Sequence, residues 1–550
     1  MKKLTLLVAC TMLLNVAFAG GLLTNYNQSA QYVRMLSRNA ALEIDAVFYN
    51  PAGLVKMEDG WHFAFYSQTI FQDREVNTTF PLLNDGYYKG ETKIPVFPDL
   101  YGVYKKDKWA FSLGIGPVGG GGTATFDRGL PSFEIPISKA VPALAGLAQI
   151  NPALGVTGYS ADLSFDGSST YWGIQLGATY AIDEIFSVYG GVRIMPSVNA
   201  YEGAIRNVML QAGGQMNPAS AWLTGAAGTV GTLAAQTQAL ANMPETLSPY
   251  LSVAGSYTLG QLEAANQIDA AMKGGIEAGL KLMGLDQTMI DAMTLNQING
   301  AYVAASPTFQ ATANTLQETA QTLSGTAGAM EDREVDTKQK GMGLTPIIGI
   351  NISPNEDWNI GLKYEHKTSL TLKNETEVDD LGLFPDGAEG SYDVPGIITA
   401  GVGYRGLKWL EAQLSYNMYL DKGVDYGYNV RYRSTGQQVQ RDIDKNYYEL
   451  GLGLQFNLSD KFAISVGGLT SQNGVTPDYQ SDFSFTNSSK TLAGGFMWKI
   501  TDKLTFDFGI LNTFYKDDTV EFTDPDVGKY NETYAKTTFD IAAGISYSIF

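Results

Sequence analysis

From residue 448 to residue 456 every second side chain is large and apolar: Tyr448, Leu450, Leu452, Leu454 and Phe456. Between them stand Glu449, Gly451, Gly453 and Gln455, which are polar or small. Successive side chains of a β-strand point to opposite faces, so the run predicts a strand with one apolar and one polar face. Trp358–Glu365 repeats the pattern, with Trp358, Ile360, Leu362 and Tyr364 opposed to Asn359, Gly361, Lys363 and Glu365. Two architectures use such strands. A soluble sandwich turns the apolar face inward. A transmembrane barrel turns it toward lipid and keeps the small and polar face in the lumen.

The connections and the tryptophans decide between them. Short turns stand at 105–108, 182–184, 355–357, 405–407, 459–461 and 501–503. They alternate with longer connections at about 72–93, 119–168, 204–342, 375–390, 422–443, 473–489 and 516–535. Seven long and six short connections join fourteen strands of roughly ten residues, with both chain ends on the short-turn side, the pattern of bacterial outer-membrane barrels. Trp61, Trp109, Trp358, Trp409 and Trp498 all fall beside the short-turn ends, with Tyr104, Phe186, Tyr404 and Phe462 near them. An interfacial girdle puts aromatics there, whereas a sandwich core puts them in mid-strand.

The first residues fit export. Lys2 and Lys3 precede an apolar region from Leu4 to Val16, and Ala17-Phe18-Ala19 forms a cleavage site before Gly20, so residues 1–19 are expected to be a signal peptide. The apolar stretch falls short of the ~20 residues of a membrane anchor. Leu7-Val8-Ala9-Cys10 resembles a lipidation site, but the apolar region before Cys10 is too short and continues past it. Cys10 is the only cysteine, so the mature chain is expected to hold no disulfide, thiolate metal site or cysteine nucleophile. A net charge of −19 argues against nucleic acid. No metal or cofactor motif appears. The two histidines, His62 and His366, have no diagnostic neighbours for a lipase or protease, and no enzymatic activity is expected.

Residues 207–340 depart from the pattern. They are rich in Ala, Gln, Thr and Gly, and Leu262, Ala265, Ile268, Met272, Ile276 and Met283 recur at helical spacing. Phe309, Ala313, Leu316, Ala320, Leu323, Ala327 and Met330 do the same after Ser306-Pro307, which reads as a helix start. A largely helical extracellular insertion is expected, packed on itself or, alternatively, acting as the binding part of a surface adhesin or receptor. The last strand runs to Phe550, and a terminal aromatic resembles the signal read by the barrel-assembly machinery. Ser546 and Ser548 stand where that signal usually has apolar residues.

Residues 28–54, QSAQYVRMLSRNAALEIDAVFYNPAGL, precede the first strand and end on a breaker, Asn50-Pro51-Ala52 with Gly53. A small helical stretch from Arg34 to Ala41, then Asp45-Ala46, then Asn-Pro-Ala resembles the amino-terminal region of the FadL/TodX family of outer-membrane transporters for long-chain fatty acids and other hydrophobic compounds. WNIGLKYEHKTSL and YDVPGIITAGVGYRG are also similar to that family, while the helical insertion is larger than its usual helical loop. The resemblance implies an all-β fold: a fourteen-stranded antiparallel barrel over residues 59–550, containing the 207–340 insertion, plugged by an amino-terminal hatch over residues 20–58.

The resemblance further implies a monomeric passive transporter in the outer membrane, in contact with outer-membrane lipid. It would bind a fatty acid or other hydrophobic molecule in the lumen and release it sideways when the hatch moves. Asn50, Pro51 and Ala52 are then the gating residues of the hatch. The sideways opening falls on a kink in strand three, where Gly114, Gly116 and Pro117 weaken the strand; the alternative is that Pro117 only ends it. By alternation Arg193 and Lys363 face the lumen, as candidates to meet a ligand carboxylate or to pair with Glu365, Glu411, Glu449 or Asp507.

Overall fold

A computed structural model describes residues 24–426 and 439–549; the expected signal peptide, Cys10 and the terminal Phe550 lie outside them. The barrel strands are β1 (Gly60–Thr78), β2 (Tyr87–Lys106), β3 (Trp109–Phe126), β4 (Val156–Ala181), β5 (Phe186–Ala212) and β6 (Arg333–Ile352). They continue with β7 (Trp358–Glu365, then Thr371–Asp379), β8 (Glu389–Ser391, then Ile397–Leu407), β9 (Leu410–Tyr419) and β10 (Tyr447–Asn457). The last four are β11 (Phe462–Gln472), β12 (Ser489–Lys499), β13 (Leu504–Tyr515, then Asp518–Asp524) and β14 (Gly528–Ile549). The sheet is antiparallel, and β14 closes on β1 from Trp61↔Ile549 to Thr78↔Glu532. This is a closed fourteen-stranded barrel. Closure follows from the solvent: in hydrocarbon each unpaired backbone group costs several kcal/mol, so an edge strand is excluded.

The alternation resolves as lipid outside and plug inside. Phe63, Phe65, Phe111, Leu113, Ile348, Leu362, Leu414 and Leu452 are exposed on the outer face. Trp61, Trp109 and Trp358 pack at the short-turn end against Tyr104, Tyr180 and Tyr404 with tilted rings, the centroids 4.7 Å apart in each case. These form the aromatic girdle.

The strands are longer than the roughly ten residues expected. β1, β2 and β14 continue past the apolar belt as paired hairpins, so the connections placed at 72–93 and 516–535 shrink to residues 79–86 and 525–527. Beyond the belt the outward side chains become charged, as at Asp73 and Glu75, and the period-two signal fades. What holds these ends together is an inner cluster of Val76, Phe80, Tyr88, Phe485, Phe522, Tyr530 and Tyr534.

The region between β5 and β6 forms a compact unit together with residues 139–161. Its longest helix is Leu295–Ala329, which packs along Ala219–Ala241. Leu262, Ile276, Leu280, Ile290, Ile298 and Tyr302 make its core. Two local expectations differ. Pro307 lies inside the long helix and does not begin it; packing on the neighbouring helix carries the chain through a residue that lacks an N–H. The run from Leu262 to Met283 is two helices, because Asp269 caps a new one by accepting from the Met272 amide at 2.7 Å.

Residues 24–57 lie inside the barrel. Ser29 caps a short helix, α1 (Ala30–Met35), and Leu36 ends it in the left-handed region at φ 58°. A second turn, α2 (Ala46–Tyr49), leads into a 3-10 helix at Pro51–Lys56. The wall meets this plug with glycines. A Cβ on Gly451 would stand 2.2 Å from the Leu36 carbonyl oxygen, and one on Gly467 2.1 Å from that of Met35. Gly467→Val is therefore expected to unseat the plug while the barrel still inserts, raising single-channel conductance in planar bilayers. Gly468→Val, beside which there is open space, is the control and should conduct like the parent. Equal conductance of the two variants would show that the plug does not depend on this contact.

Candidate functional site

The plug is fastened by buried polar groups. Arg34 Nε donates to Asp507 at 3.0 Å, and its Nη1 donates to Gln455 at 2.6 Å and to Ser465. Arg38 forms a two-pronged bond with Asp45, at 2.8 and 2.7 Å, and donates to Glu43 at 2.7 Å. Burial works against the Arg38 charge, but Asp45 and Glu43 outweigh it and hold its pKa above the ordinary range. Arg405 of β8 reaches Glu43 at 3.1 Å and so ties this cluster to the wall.

The residues of the breaker are fastened the same way. Asn50 Nδ2 donates to the Ala41 carbonyl at 2.9 Å and to Asn351 of β6 at 2.8 Å. The Pro51 carbonyl accepts from Thr179 of β4 at 2.8 Å and the Ala52 carbonyl from Ser187 of β5 at 2.6 Å. Pro51 opens the 3-10 turn, where a missing N–H loses nothing. The breaker thus presents its carbonyls to two strands without joining the sheet.

Strand three carries an interruption in the wall. β2 pairs with β3 at Thr92↔Ala124 and next at Leu100↔Ile115, leaving residues 93–99 and 116–123 unpaired with each other. On its other side β3 stays paired with β4, through bulges between Pro117 and Gly119 and between Gly120 and Gly122. Gly120 and Gly121 have φ of 63° and 120°, and a Cβ on Gly120 would stand 2.0 Å from the Ser169 carbonyl oxygen, so glycine is required there. Gly114 lies below the gap, where a Cβ would meet Val47 of the plug at 3.1 Å; at Gly116 a Cβ would be 2.1 Å from Asp99 Oδ1.

The freed groups of β3 are taken by the start of the plug. Thr24 bridges to Gly119. The Asn25 amide donates to the Val118 carbonyl at 2.9 Å, Asn25 Nδ2 to that of Gly120 at 2.5 Å and Gln28 Nε2 to that of Pro117 at 2.8 Å. Residues 24–28 act as a strap across the gap. Sequence reasoning did not find it, because Thr24, Asn25 and Gln28 carry no pattern. Pro95 and Pro98, two prolines within β2, were the available signal that the strand facing Pro117 is also interrupted.

Arg193 and Lys363 converge beside the strap. Arg193 Nη1 and Nη2 donate to Glu365 at 2.5 and 3.1 Å, and Nη2 also to Gln175 at 2.7 Å. Lys363 Nζ donates to Glu365 at 2.7 Å and to the Phe48 carbonyl at 2.6 Å. Both cations lie over the Phe48 ring. Of the four acids considered as partners, Glu365 takes both; Asp507 is taken by Arg34, Glu411 by Arg405, and Glu449 by Asn417 and two tyrosines. Two positive charges share one negative charge, leaving a surplus of one. A cavity of ≈ 20 Å³ between Tyr26, Phe48, Tyr171, Met195, Arg193 and Glu365 has room for about one water, so in this conformation the plug fills the lumen here.

The class of protein is set by these features: a plugged, fourteen-stranded transmembrane barrel of the bacterial outer-membrane type. Its fold is that of the FadL proteins. A Pseudomonas aeruginosa FadL homologue superposes with a TM-score of 0.55 at 12% identity, covering 96% of this chain and 100% of that one. The P. putida toluene transporter TodX matches at 10% identity over 92% and 94% of the two chains, TM-score 0.46. The Ralstonia pickettii toluene transporter TbuX matches at 13% identity over 92% and 94%, TM-score 0.43. No family model and no curated protein sequence matches the chain.

Removing one partner of a buried ion pair costs about 3–5 kcal/mol, because the other is left charged without compensation. Arg34→Met is thus expected to speed amide hydrogen exchange throughout residues 30–36, and adding Asp507→Asn to restore much of the protection. Unchanged exchange in the single variant would mean that Arg34 does not hold the plug.

Proposed function

We propose that the protein is an outer-membrane passive transporter of the FadL/TodX family that takes up long-chain fatty acids or other hydrophobic compounds. The observation that carries this reading is the gap between β2 and β3, which among the described residues is covered by the strap of residues 24–28. A barrel of this kind otherwise has a continuous wall, and a wall opening at membrane depth gives an apolar molecule a route into lipid without crossing water.

The residues divide the work. An amphiphile enters the lumen from outside and gains roughly 0.8 kcal/mol for each CH₂ taken out of water. The surplus charge of Arg193 and Lys363 draws a carboxylate toward the strap. Entry displaces Tyr26 and Phe48, which fill the space, and with them Thr24 and Asn25. Asn50, Pro51 and Ala52 anchor the far end of the moving segment, and the ligand leaves through the opening at Gly116 and Pro117. Transport is downhill. The toluene transporters of the same fold make monoaromatic hydrocarbons an alternative cargo for the same route.

Two experiments test the gate. Replacing Thr24 and Gly119 by cysteine places a pair across the bridge, and an oxidised pair is expected to abolish uptake of a labelled fatty acid, with recovery on reduction. Uptake that is indifferent to oxidation of a demonstrably formed disulfide would refute sideways release at this gap. Changing Asn50 and Pro51 together to alanine removes the bonds to Ala41 and Asn351. It is expected to cut uptake severalfold in a barrel that still inserts; normal uptake would leave Pro51 a turn residue only.

A further inference from the structure

Above the plug, on the outer half of the lumen wall, Arg74 of β1 and Lys536 of β14 stand directly opposite each other in the strand register. Both belong to the inward row, which on β1 includes Tyr66, Gln68 and Val76 and on β14 includes Tyr534, Asp540 and Ala542. Like charges directly opposed on neighbouring strands repel. Elsewhere in the lumen Arg34, Arg193 and Lys363 each have a carboxylate. Arg74 and Lys536 have none among the described residues, and the remaining residues of the chain, 1–23, 427–438 and 550, contain no Asp or Glu.

The surroundings add a third cation and an aromatic wall. Arg74 lies over the Phe485 ring at 4.5 Å, Lys536 Nζ over Tyr515 at 4.7 Å, and Arg441 on Tyr479 at 3.9 Å. Arg441 is fixed by donating Nε to the Tyr479 carbonyl at 2.8 Å and Nη2 to the Ser484 carbonyl at 2.9 Å. Its charge and that of Arg74 oppose each other. Arg74 Nε and Nη2 and Arg441 Nη1 are buried donors with no acceptor among the described residues. The nearest inward acids along β14, Glu532 and Asp540, are each four residues away, roughly 13 Å at the rise of a strand. They accept from Tyr534 and Asn27 instead.

We propose that Arg74 and Lys536, backed by Arg441, form a receiving site for the oxyanionic head of an amphiphile. The inference rests on the transport reading and adds to it a second cationic site, on other strands than Arg193 and Lys363. Unfilled guanidinium donors beside a lysine amine match a carboxylate, whose charge would favour the protonated amine. The rings of Phe485, Tyr479 and Tyr515 offer the adjoining hydrocarbon an apolar wall. In a chain of net charge −19 this is no general basic surface. The ligand meets uncompensated charge first, and only deeper in the lumen reaches the Arg193–Lys363–Glu365 cluster.

The test compares dodecanoate, dodecanol and inorganic phosphate. Binding of each to the full chain in mild detergent is measured by calorimetry, and uptake of the first two is measured in cells. Arg74→Gln with Lys536→Gln is expected to weaken dodecanoate binding at least tenfold and leave dodecanol uptake unchanged, while Lys536→Arg, which keeps the charge, retains binding. Equal losses for dodecanoate and dodecanol, or no loss for dodecanoate, would overturn the site. So would phosphate displacing dodecanoate at equal concentration, which would mark a site for free anions. Should the parent protein take up neither compound, the transport reading fails, and the calorimetry still decides whether these cations bind a carboxylate head.

Discussion

Backbone hydrogen bonding in a medium without water governs this molecule. A strand in hydrocarbon must pair on both sides, and fourteen of them do so by closing β14 on β1. The longest interruption among the described residues, between β2 and β3, lies at residues 93–99 and 116–123, and a shorter one parts β6 from β7 at residues 341–346 and 366–372. The longer one persists because the chain brings its own amino-terminal segment to the freed carbonyls of Pro117, Val118 and Gly120. At this place the amino-terminal segment supplies β3 with hydrogen bonds that β2 does not.

The same logic explains the uneven distribution of small residues. Where the wall touches plug backbone, as at Gly361, Gly401, Gly451 and Gly467, a side chain would overlap main-chain atoms. Where it touches plug side chains, it supplies partners one by one: Asp507 to Arg34, Asn351 to Asn50, Glu365 to the pair above Phe48. Buried polar groups of this kind are costly unless fully paired, so they fix one seating of the plug among the many that a lumen of this width would admit.

Much of this was legible in the sequence. The strands inside the apolar belt were, because lipid on one face and plug on the other impose period two. The girdle was, because Trp61, Trp109 and Trp358 fall at one end of their strands. Gly116 and Pro117 stand in the stretch of β3 that does not pair with β2. The strap was not legible, since Thr24 and Asn25 act through backbone position and single amides. The outer hairpins were not, since beyond the lipid the pressure that writes the alternation ends. The partnership of Arg193 and Lys363 with Glu365 could be given only as one of several pairings, because alternation fixes the face of a residue and not its neighbour across the lumen.

The strands that frame the helical unit carry a consequence of their own. β5 and β6 remain paired from Phe186↔Ile352 out to Ile205↔Arg333, so the chain leaves the sheet and re-enters it at adjacent positions. The unit between them has its own apolar core around Ile276, Leu280, Ile298 and Tyr302. Adjacent attachment points and an independent core are the conditions under which one folded body can be exchanged for another without strain on its host. The barrel is in that sense a carrier: an unrelated helical or β module whose ends lie a few ångströms apart could be grafted at this junction while the strands on either side of it kept their pairing.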